Sequence, residues 1–420
     1  MKELTGNRAQ KGVLLAQYIE NKGLEVYVGL SGGVDSSVSA LLLKQAGFKV
    51  TGVFIKVWQP ENGDCTWKED RRDAMRVAAH LGIKFQTLDL RNEYKKGVVD
   101  YMIDEYAKGR TPNPDVMCNK EVKFGAFMNW AISNGADFVA TGHYAQVKNG
   151  EMFEGNDKEK DQSYFLWTLS QNQLEKILFP IGHLEKSEVR KIAEKNKIPV
   201  AYKKDSQGVC FIGHIDMKDF IREHVLANTS GNIGSGTDGD ARNKFTSGLF
   251  EGDVLDITGK IIGKHDGSLL YTIGERHGLA ITNNSATSPR LYVIAKDILK
   301  NTITVAEKEQ MMREGAGTVN KIVFNDIHFM NESYKEILKN EGSEDKVIKC
   351  LARSRYRQKK EECTLSFKNN KYEVNFPRPQ EGITPGQSLV LYFRETKGQN
   401  NLNAKTVDGA LTKTLGGAII

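Results

Sequence analysis

From Glu25 onward, short β-branched runs alternate with longer stretches of helical period, and that alternation restricts the first half of the chain to an α/β fold around a parallel sheet. "EVYVGL", "KVTGVFI", "KFQTLDL" and "DFVATG" read as strands. Residues 36–46, the run "DRRDAMRVAAHLG", residues 93–108 and residues 121–134 read as the helices between them. This is the pattern of a doubly wound domain, in which ligands collect beyond the carboxyl ends of the strands. "AQVKNGEMFE" interrupts the series with two extended runs about Asn149 and Gly150, a strong hairpin signal. Helical text returns in "LEKSEVRKIAEKNK".

After about residue 214 the text changes to short strands, turns and glycine. "NTSGNIGSGTDGDARNKFTSG" is a polar loop longer than compact domains usually carry. Its "GSGTDG" formally fits a dinucleotide fingerprint, but no strand precedes it and no apolar helix follows, so it reads as a loop. From residue 290 regularly spaced strands, "RLYVIA", "NTITVA", "KVIKCLARSRYRQ", "CTLSF", "KYEVNF" and "SLVLYF", predict a small β-barrel or sandwich. "FMNESYKEILKNEGSED" among them reads as an exposed polar insertion. The expected domains are residues 1–213, with 1–24 an N-terminal extension, a small central domain at 214–289, and a β-barrel at 290–420; a chain of 420 residues suits two or three cores.

The net charge of +6 permits an anionic partner without naming one. No apolar run nears the ~20 residues of a membrane span. The first twenty residues lack a signal peptide's apolar segment, so a cytoplasmic protein without a membrane partner is expected. The five cysteines include no CxxC pair, which argues against a zinc site or a disulfide scaffold.

The chemistry begins in "GLSGGVDSS", residues 29–37, between the first strand and the first helix. A Walker loop would carry GxxxxGK[ST], and this loop has no lysine. Its turn amides, serine hydroxyls and the positive end of the helix dipole can still converge on one phosphate group. Asp35 is placed to help hold a Mg²⁺ that arrives with that phosphate. Two cysteines stand in loop-like surroundings. Cys118, in "GRTPNPDVMCNKEVKFG", precedes a helix expected from Asn119, whose dipole would favour the thiolate, and Lys120 and Lys123 add positive charge. Asp115 lies three residues earlier, on a loop stiffened by Pro112 and Pro114, as a candidate acid or base. Cys210 lies in "KKDSQGVCFIG". Cys350 and Cys363 fall in strand-like text, where core packing is the default, and Cys65 is unassigned. In "ARSRYRQ", Arg353, Arg355 and Arg357 recur with period two, which on a strand gives one cationic face with Tyr356 beside it; a solvated strand face fits the pattern equally well.

"SGGVDS" after a first strand resembles the PP-loop of ATP pyrophosphatases, which cleave ATP between the α and β phosphates. Together with "GRTPNPDVMCNKEVKFG", "ATGHYA", "KDQSYFL", "KDSQGVCFIG", "YTIGERHGL", "RYRQ" and "TPGQS", in that order, it resembles the tRNA-specific 2-thiouridylase family from about Glu25 nearly to the C-terminus. The resemblance implies a PP-loop domain, a central domain and a C-terminal β-barrel. It implies adenylation of the C2 oxygen of the wobble uridine by ATP with Mg²⁺, then sulfur transfer that leaves 2-thiouridine, AMP and pyrophosphate. Cys210 would carry the persulfide delivered by a sulfur-relay protein or cysteine desulfurase. Cys118 would be its partner cysteine, freeing the sulfur or resolving the persulfide as a disulfide, and Asp115 the acid or base. ATP would lie on Gly29, Leu30, Ser31, Gly32, Gly33, Val34, Asp35, Ser36, Ile55 and Gly142. The tRNA would meet Asn113, Pro114, Asp115, His143, Lys160, Asp161, Gln162, Arg355, Tyr356 and Gln387. A PP-loop ligase acting on an amine, or an RNA-binding protein with a vestigial loop, are the rival expectations. The long glycine-rich stretch and the acidic insertion depart from the family pattern without touching a catalytic segment.

Overall fold

The structure, a computed structural model, describes residues 23–60, 67–205, 217–230, 246–282, 289–315, 317–339, 346–394 and 412–420. Cys65, Cys210, most of the N-terminal extension, the "GSGTDG" run and the end of the acidic insertion lie outside the described residues. The chain divides into two compact units, residues 1–97 with 115–214 and 411–414, and residues 98–114 with 215–410 and 415–420.

The first unit is built on five parallel strands, β1 (Glu25–Gly29), β2 (Lys49–Lys56), β3 (Lys84–Asp89), β4 (Phe138–Ala140) and β7 (Ile177–Leu178), in the order β3-β2-β1-β4-β7. Val28 pairs with Gly52 on one side and Ala140 on the other, so β1 is central. Its valines are fully buried, as a sheet covered on both faces requires, and each contributes roughly 1.5–3 kcal/mol by leaving water. Helix α1 (Val34–Gln45) packs Val34, Val38 and Leu41 into the same core as Ala74, Val77 and Leu81 of α2 (Trp67–Leu81). The hairpin β5 (Ala145–Lys148) and β6 (Glu151–Glu154) forms as expected, with Asn149 and Gly150 at φ 53° and 70°, the left-handed pair that a tight hairpin turn demands.

The second unit holds two sheets. In the first, β8 (Gly252–Leu255), β9 (Ile261–His265), β10 (Ala280–Ile281), β11 (Leu291–Asp297) and β12 (Thr302–Glu307) run in the order β10-β9-β8-β12-β11. The second sheet orders β13 (Thr318–Phe324), β17 (Lys371–Glu381), β16 (Glu361–Lys368), β15 (Val347–Arg353), β18 (Ser388–Arg394) and β19 (Thr412–Ile419), with β14 (His328–Phe329) paired to β19. Its core includes Phe329, Leu365, Tyr372, Val374 and Leu391. Cys350 and Cys363 sit directly opposite each other on β15 and β16, buried in that core with sulfurs 3.4 Å apart, as packing residues.

Two sequence expectations change here. The supposed exposed insertion contains a helix, Ser333–Lys339, which buries Leu338 in the barrel core and lays Lys339 over the rings of Phe367 and Tyr372. Tyr334 packs against the same core, and with only Tyr334, Ile337 and Leu338 apolar among charged neighbours the run gave too short a period to show an inward face. The arginine stripe is also broken. β15 ends at Arg353, and Gln358 Oε1 accepts hydrogen bonds from Ser354 N, Ser354 Oγ and Arg355 N, closing a turn in which Arg357 takes φ 63°. The three arginines therefore leave in different directions. Arg353 is buried against Tyr392, to whose hydroxyl its Nε donates at 2.9 Å; Arg355 donates to Ile273 O and Thr384 Oγ1; Arg357 lies over the Tyr356 ring.

Candidate functional site

In the first unit, β1 delivers the chain to a turn at its carboxyl end, where Leu30 N still donates to Val53 O at 2.8 Å. The loop is then held by its own serines. Ser31 Oγ and Ser36 Oγ lie 3.2 Å apart, and Ser37 Oγ donates to Gly33 O at 2.7 Å. Helix α1 starts at Val34 behind Gly33, whose extended backbone offers no side-chain cap, so the first-turn amides keep their positive end directed outward. Gly142, just past β4, presses on this turn. A Cβ there would come within 2.7 Å of Ser36 N and 2.8 Å of the Asp35 carbonyl carbon. Ile55 lies near the carboxyl end of β2, buried, on the same edge of the sheet. The fold therefore gathers Gly29, Leu30, Ser31, Gly32, Gly33, Val34, Asp35, Ser36, Ile55 and Gly142 at that edge.

The lysine missing from the loop arrives from elsewhere. Lys186, first residue of helix Lys186–Lys195, places Nζ 2.7 and 2.8 Å from the two oxygens of Asp35 and 2.8 Å from Asp205 Oδ1. Tyr144 OH donates to Asp35 Oδ1 at 3.0 Å. Asp205 is shared further with Lys160 at 2.9 Å and Arg190 at 2.8 Å. Burial opposes its ionisation, but hydrogen bonds from Lys186 and Lys160 prevail and bring its carboxyl down to about 2. A cationic cluster thus stands beside an uncapped helix start, an arrangement suited to a polyphosphate. Sequence reading missed Lys186 because it lies 151 positions from Asp35, and its local text shows only a charged helix start closed by a Glu185–Glu188 capping box.

Residues 160–162, expected at the RNA, divide. Lys160 is engaged with Asp205. The Asp161 carboxylate is buried, accepting from Gly155 N, Ser163 N and Ser163 Oγ, and Gln162 Oε1 accepts from Tyr144 N. His143 is also buried, between Phe124 and Phe179. Its Nδ1 lies 2.6 Å from Thr141 Oγ1, and Lys123 Nζ meets Nε2 at 3.4 Å. A protonated lysine can only donate, so Nε2 accepts and Nδ1–H points to the hydroxyl. Burial first, and then Lys123, hold the imidazole well below its usual range. The unfolded chain gains a proton below about 6.5 and the folded one does not, so stability present above that pH is lost as pH falls toward the depressed folded value. His143→Gln is expected to flatten the fall in thermal unfolding midpoint between about pH 7 and 5, read by calorimetry. An unchanged slope would mean another group titrates.

Asp115 and Cys118 sit differently from expectation. The helix begins at Pro114, not Asn119, because proline's fixed φ suits a first helical position. Asp115 is therefore in the first turn. Cys118 is one turn in, opening the π-helical stretch Cys118–Phe127, and is fully buried as a free thiol. Asp115 and Val116, not Cys118, occupy the helix start, so the helix dipole does not single out the Cys118 thiol as expected. A π-helical stretch is uncommon and frequently marks a functional segment. Cys210 lies outside the described residues.

In the second unit, Gln387 Nε2 donates to Thr111 O at 2.9 Å and to Pro112 O at 3.2 Å, just ahead of Asn113 and Pro114. Arg355 is half-buried, as is Tyr356.

The comparisons fit this geometry. Residues 24–214 match the model described as the tRNA methyl transferase HUP domain, residues 244–307 the tRNA methyl transferase PRC-barrel domain, and residues 319–401 the aminomethyltransferase beta-barrel domain. A tRNA-specific 2-thiouridylase MnmA of Staphylococcus epidermidis is 41% identical over 90% of this chain and 94% of its own length. This chain belongs to the tRNA-specific 2-thiouridylase family. Another member, the MnmA of Streptococcus pyogenes, is 42% identical over 89% of this chain and 93% of its own. As a family member the chain is a PP-loop protein that uses ATP, with a β-barrel at its C-terminal side. Among the described residues no helix is long and apolar enough to cross a membrane.

Proposed function

We infer that this chain is an ATP-dependent tRNA 2-thiouridylase acting on the wobble uridine. The observation that carries the reading is the uncapped start of α1, closed on by Gly142 and served by Lys186, in a chain 41% identical to a named 2-thiouridylase over nine-tenths of its length. The turn amides and Lys186 bind the β and γ phosphates of ATP and take up the charge of the departing pyrophosphate as the uridine C2 oxygen bonds to the α-phosphorus. Asp35, the acidic residue in the first turn of α1, is the residue that would hold a Mg²⁺, which would supply neutralisation of phosphate charge. Cys210 carries the persulfide from a donor protein. Its outer sulfur bonds to C2, Cys118 attacks the inner sulfur, and the C2–O bond breaks. The products are 2-thiouridine, AMP and a Cys118–Cys210 disulfide, whose two electrons have gone to the transferred sulfur; a thiol reductant resets the pair. Asp115 shuttles the proton. Asn113, Pro114, His143, Lys160, Asp161, Gln162, Arg355 and Tyr356 belong to the tRNA-binding side, with the buried Asp161 and His143 shaping the backbone rather than touching RNA. Residues 1–213 serve as the catalytic domain of a cytoplasmic enzyme; of the expected central (214–289) and barrel (290–420) domains, the strands β11 and β12 pair into the sheet of β8–β10 and so serve with the central one, and the barrel begins after them.

Incubation with ATP, Mg²⁺, a persulfide donor and unmodified tRNA should yield thiouridine by mass spectrometry, with stoichiometric pyrophosphate. Cys118→Ala and Cys210→Ala should each lower thiouridine formation at least ~100-fold yet still release pyrophosphate. Wild-type thiolation in Cys210→Ala would refute the persulfide assignment, whereas pyrophosphate release with no thiouridine in any sample would favour an amine-accepting ligase.

A further inference from the structure

Lys203, which opens "KKDSQGVCFIG", has no part in the chemistry above, yet two of its three ammonium hydrogens are committed. Its Nζ donates to Asp70 Oδ1 and to Asp73 Oδ2, at 2.8 Å each. Those two acids, three apart on α2, share one side of the helix. The same stretch of α2 is seated on the phosphate turn. Gly32 takes φ 78°, and a Cβ on it would collide with the Asp70 carbonyl oxygen and lie 3.1 Å from the Asp70 carbonyl carbon and 3.2 Å from Asp73 Cβ. Asp70 and Asp73 therefore meet Lys203 with their carboxylates and Gly32 with atoms at or next to the helix backbone.

The lysine is itself tied down. Lys203 N donates to Val200 O at 2.9 Å. Arg190 Nη1 donates to Ala201 O at 3.3 Å and to Lys203 O at 3.2 Å, and its Nη2 to Asp205 Oδ1 at 2.8 Å, where Lys186 also bonds. Residues 201–205 thus strap the helix Lys186–Lys195, which carries the cation of the phosphate site, to the start of α2, which abuts Gly32.

We propose that Lys203 is a positioning residue that clamps the start of α2 against Gly32 and so keeps the amides of the phosphate turn in place. The proposal rests on the ATP reading for its catalytic consequence alone. A glycine is the backbone position with the most freedom to rotate, and Gly32 has no side chain by which to anchor itself. While α2 is held, the Asp70 carbonyl blocks the Gly32 peptide from swinging towards that helix.

The test is Lys203→Met in the full chain. The side chains of Lys203, Asp70 and Asp73 are 32%, 40% and 22% exposed, so the lost pairs cost little stability. Amide exchange of the peptide spanning residues 30–34 should quicken about tenfold. Pyrophosphate release at saturating ATP should fall about tenfold with the KM for ATP within about twofold, since the phosphates keep their partners and lose the alignment. Lys203→Arg, whose fork can span both carboxylates, should restore release to within about threefold of wild type. Asp70→Asn with Asp73→Asn should reproduce the loss, and adding Lys203→Met should cost nothing further, because the three act through one contact. If Lys203→Met does not fold, the two asparagine changes read the same quantities. Unchanged exchange, or release within about twofold of wild type, would reduce the three residues to a surface ion pair; a KM that rises in step with the fall in rate would make Lys203 a phosphate ligand. Either result overturns the proposal. Should the wild-type chain release no pyrophosphate from ATP, the ATP reading falls and the exchange of residues 30–34 alone decides for or against the clamp.

Discussion

Gly142→Ala is expected to lower pyrophosphate release from ATP by about 100-fold, the scale of loss when a reacting group is displaced by roughly an ångström. The added methyl would meet Ser36 N at 2.7 Å and the Asp35 carbonyl carbon at 2.8 Å. Both are backbone atoms of the first turn of α1, so no flexible side-chain tip can yield. Either the helix start retreats or the loop after β4 does, and in both cases the amides that face the phosphate leave their places. The rest of the first unit has a large core around Val26, Val28 and Ala140 to absorb the strain. Overpacking of this kind costs about 1–3 kcal/mol, which leaves a folded protein. Pyrophosphate release should therefore collapse while the circular dichroism spectrum is kept and the unfolding midpoint drops by only a few degrees, roughly. A release rate within about threefold of wild type would show that the turn tolerates displacement, and would remove Gly142 from the ATP site.

The contrast between Gly142 and Lys186 shows what a sequence of this kind discloses. Strand β1, the serine-rich turn and α1 are contiguous, so period and turn chemistry expose them directly, as they do the Asn149–Gly150 hairpin. Where the physical cause is a tertiary contact, local text misleads. The arginines of "ARSRYRQ" keep period two in the letters, yet Gln358 closes a turn through them, and Arg353 and Arg355 go to separate partners. Asp161 looks like a surface acid but is consumed by three short-range donors. Cys118 looked like a residue at a helix start because the proline-rich text before it reads as loop; Pro114 instead opens the helix. Lys186 and Gln387 were ordinary polar residues until the fold carried them to Asp35 and Thr111.

Lys186→Met provides the sharpest test of how a phosphate loop works without its own lysine. In the structure the Lys186 side chain is 13% exposed and its ammonium bridges Asp35 and Asp205. Methionine retains most of the length and apolar contact and deletes the charge, leaving two carboxylates facing a gap, with Lys160 and Arg190 still holding Asp205. Asp35 then keeps only the Tyr144 hydroxyl among the partners given above. Because both carboxylates are about one-third exposed, water compensates in part, and a stability loss of about 1–2 kcal/mol is expected rather than the full cost of a buried pair. The functional loss should be much larger. A group that stabilises developing charge in a pre-organised site is worth about 10²–10³ in rate, so pyrophosphate release at saturating ATP should drop by about that factor, with a raised KM for ATP. Tyr144 and Asp35 would still orient each other, so a variant that loses only stability, with release and KM unchanged, would reduce Lys186 to a structural ion pair. If release falls as expected, the phosphate-facing cation of this loop is one that the chain supplies from the start of a helix 151 residues downstream of Asp35. The loop then needs only small residues and free amides, because its charge is delivered by the fold.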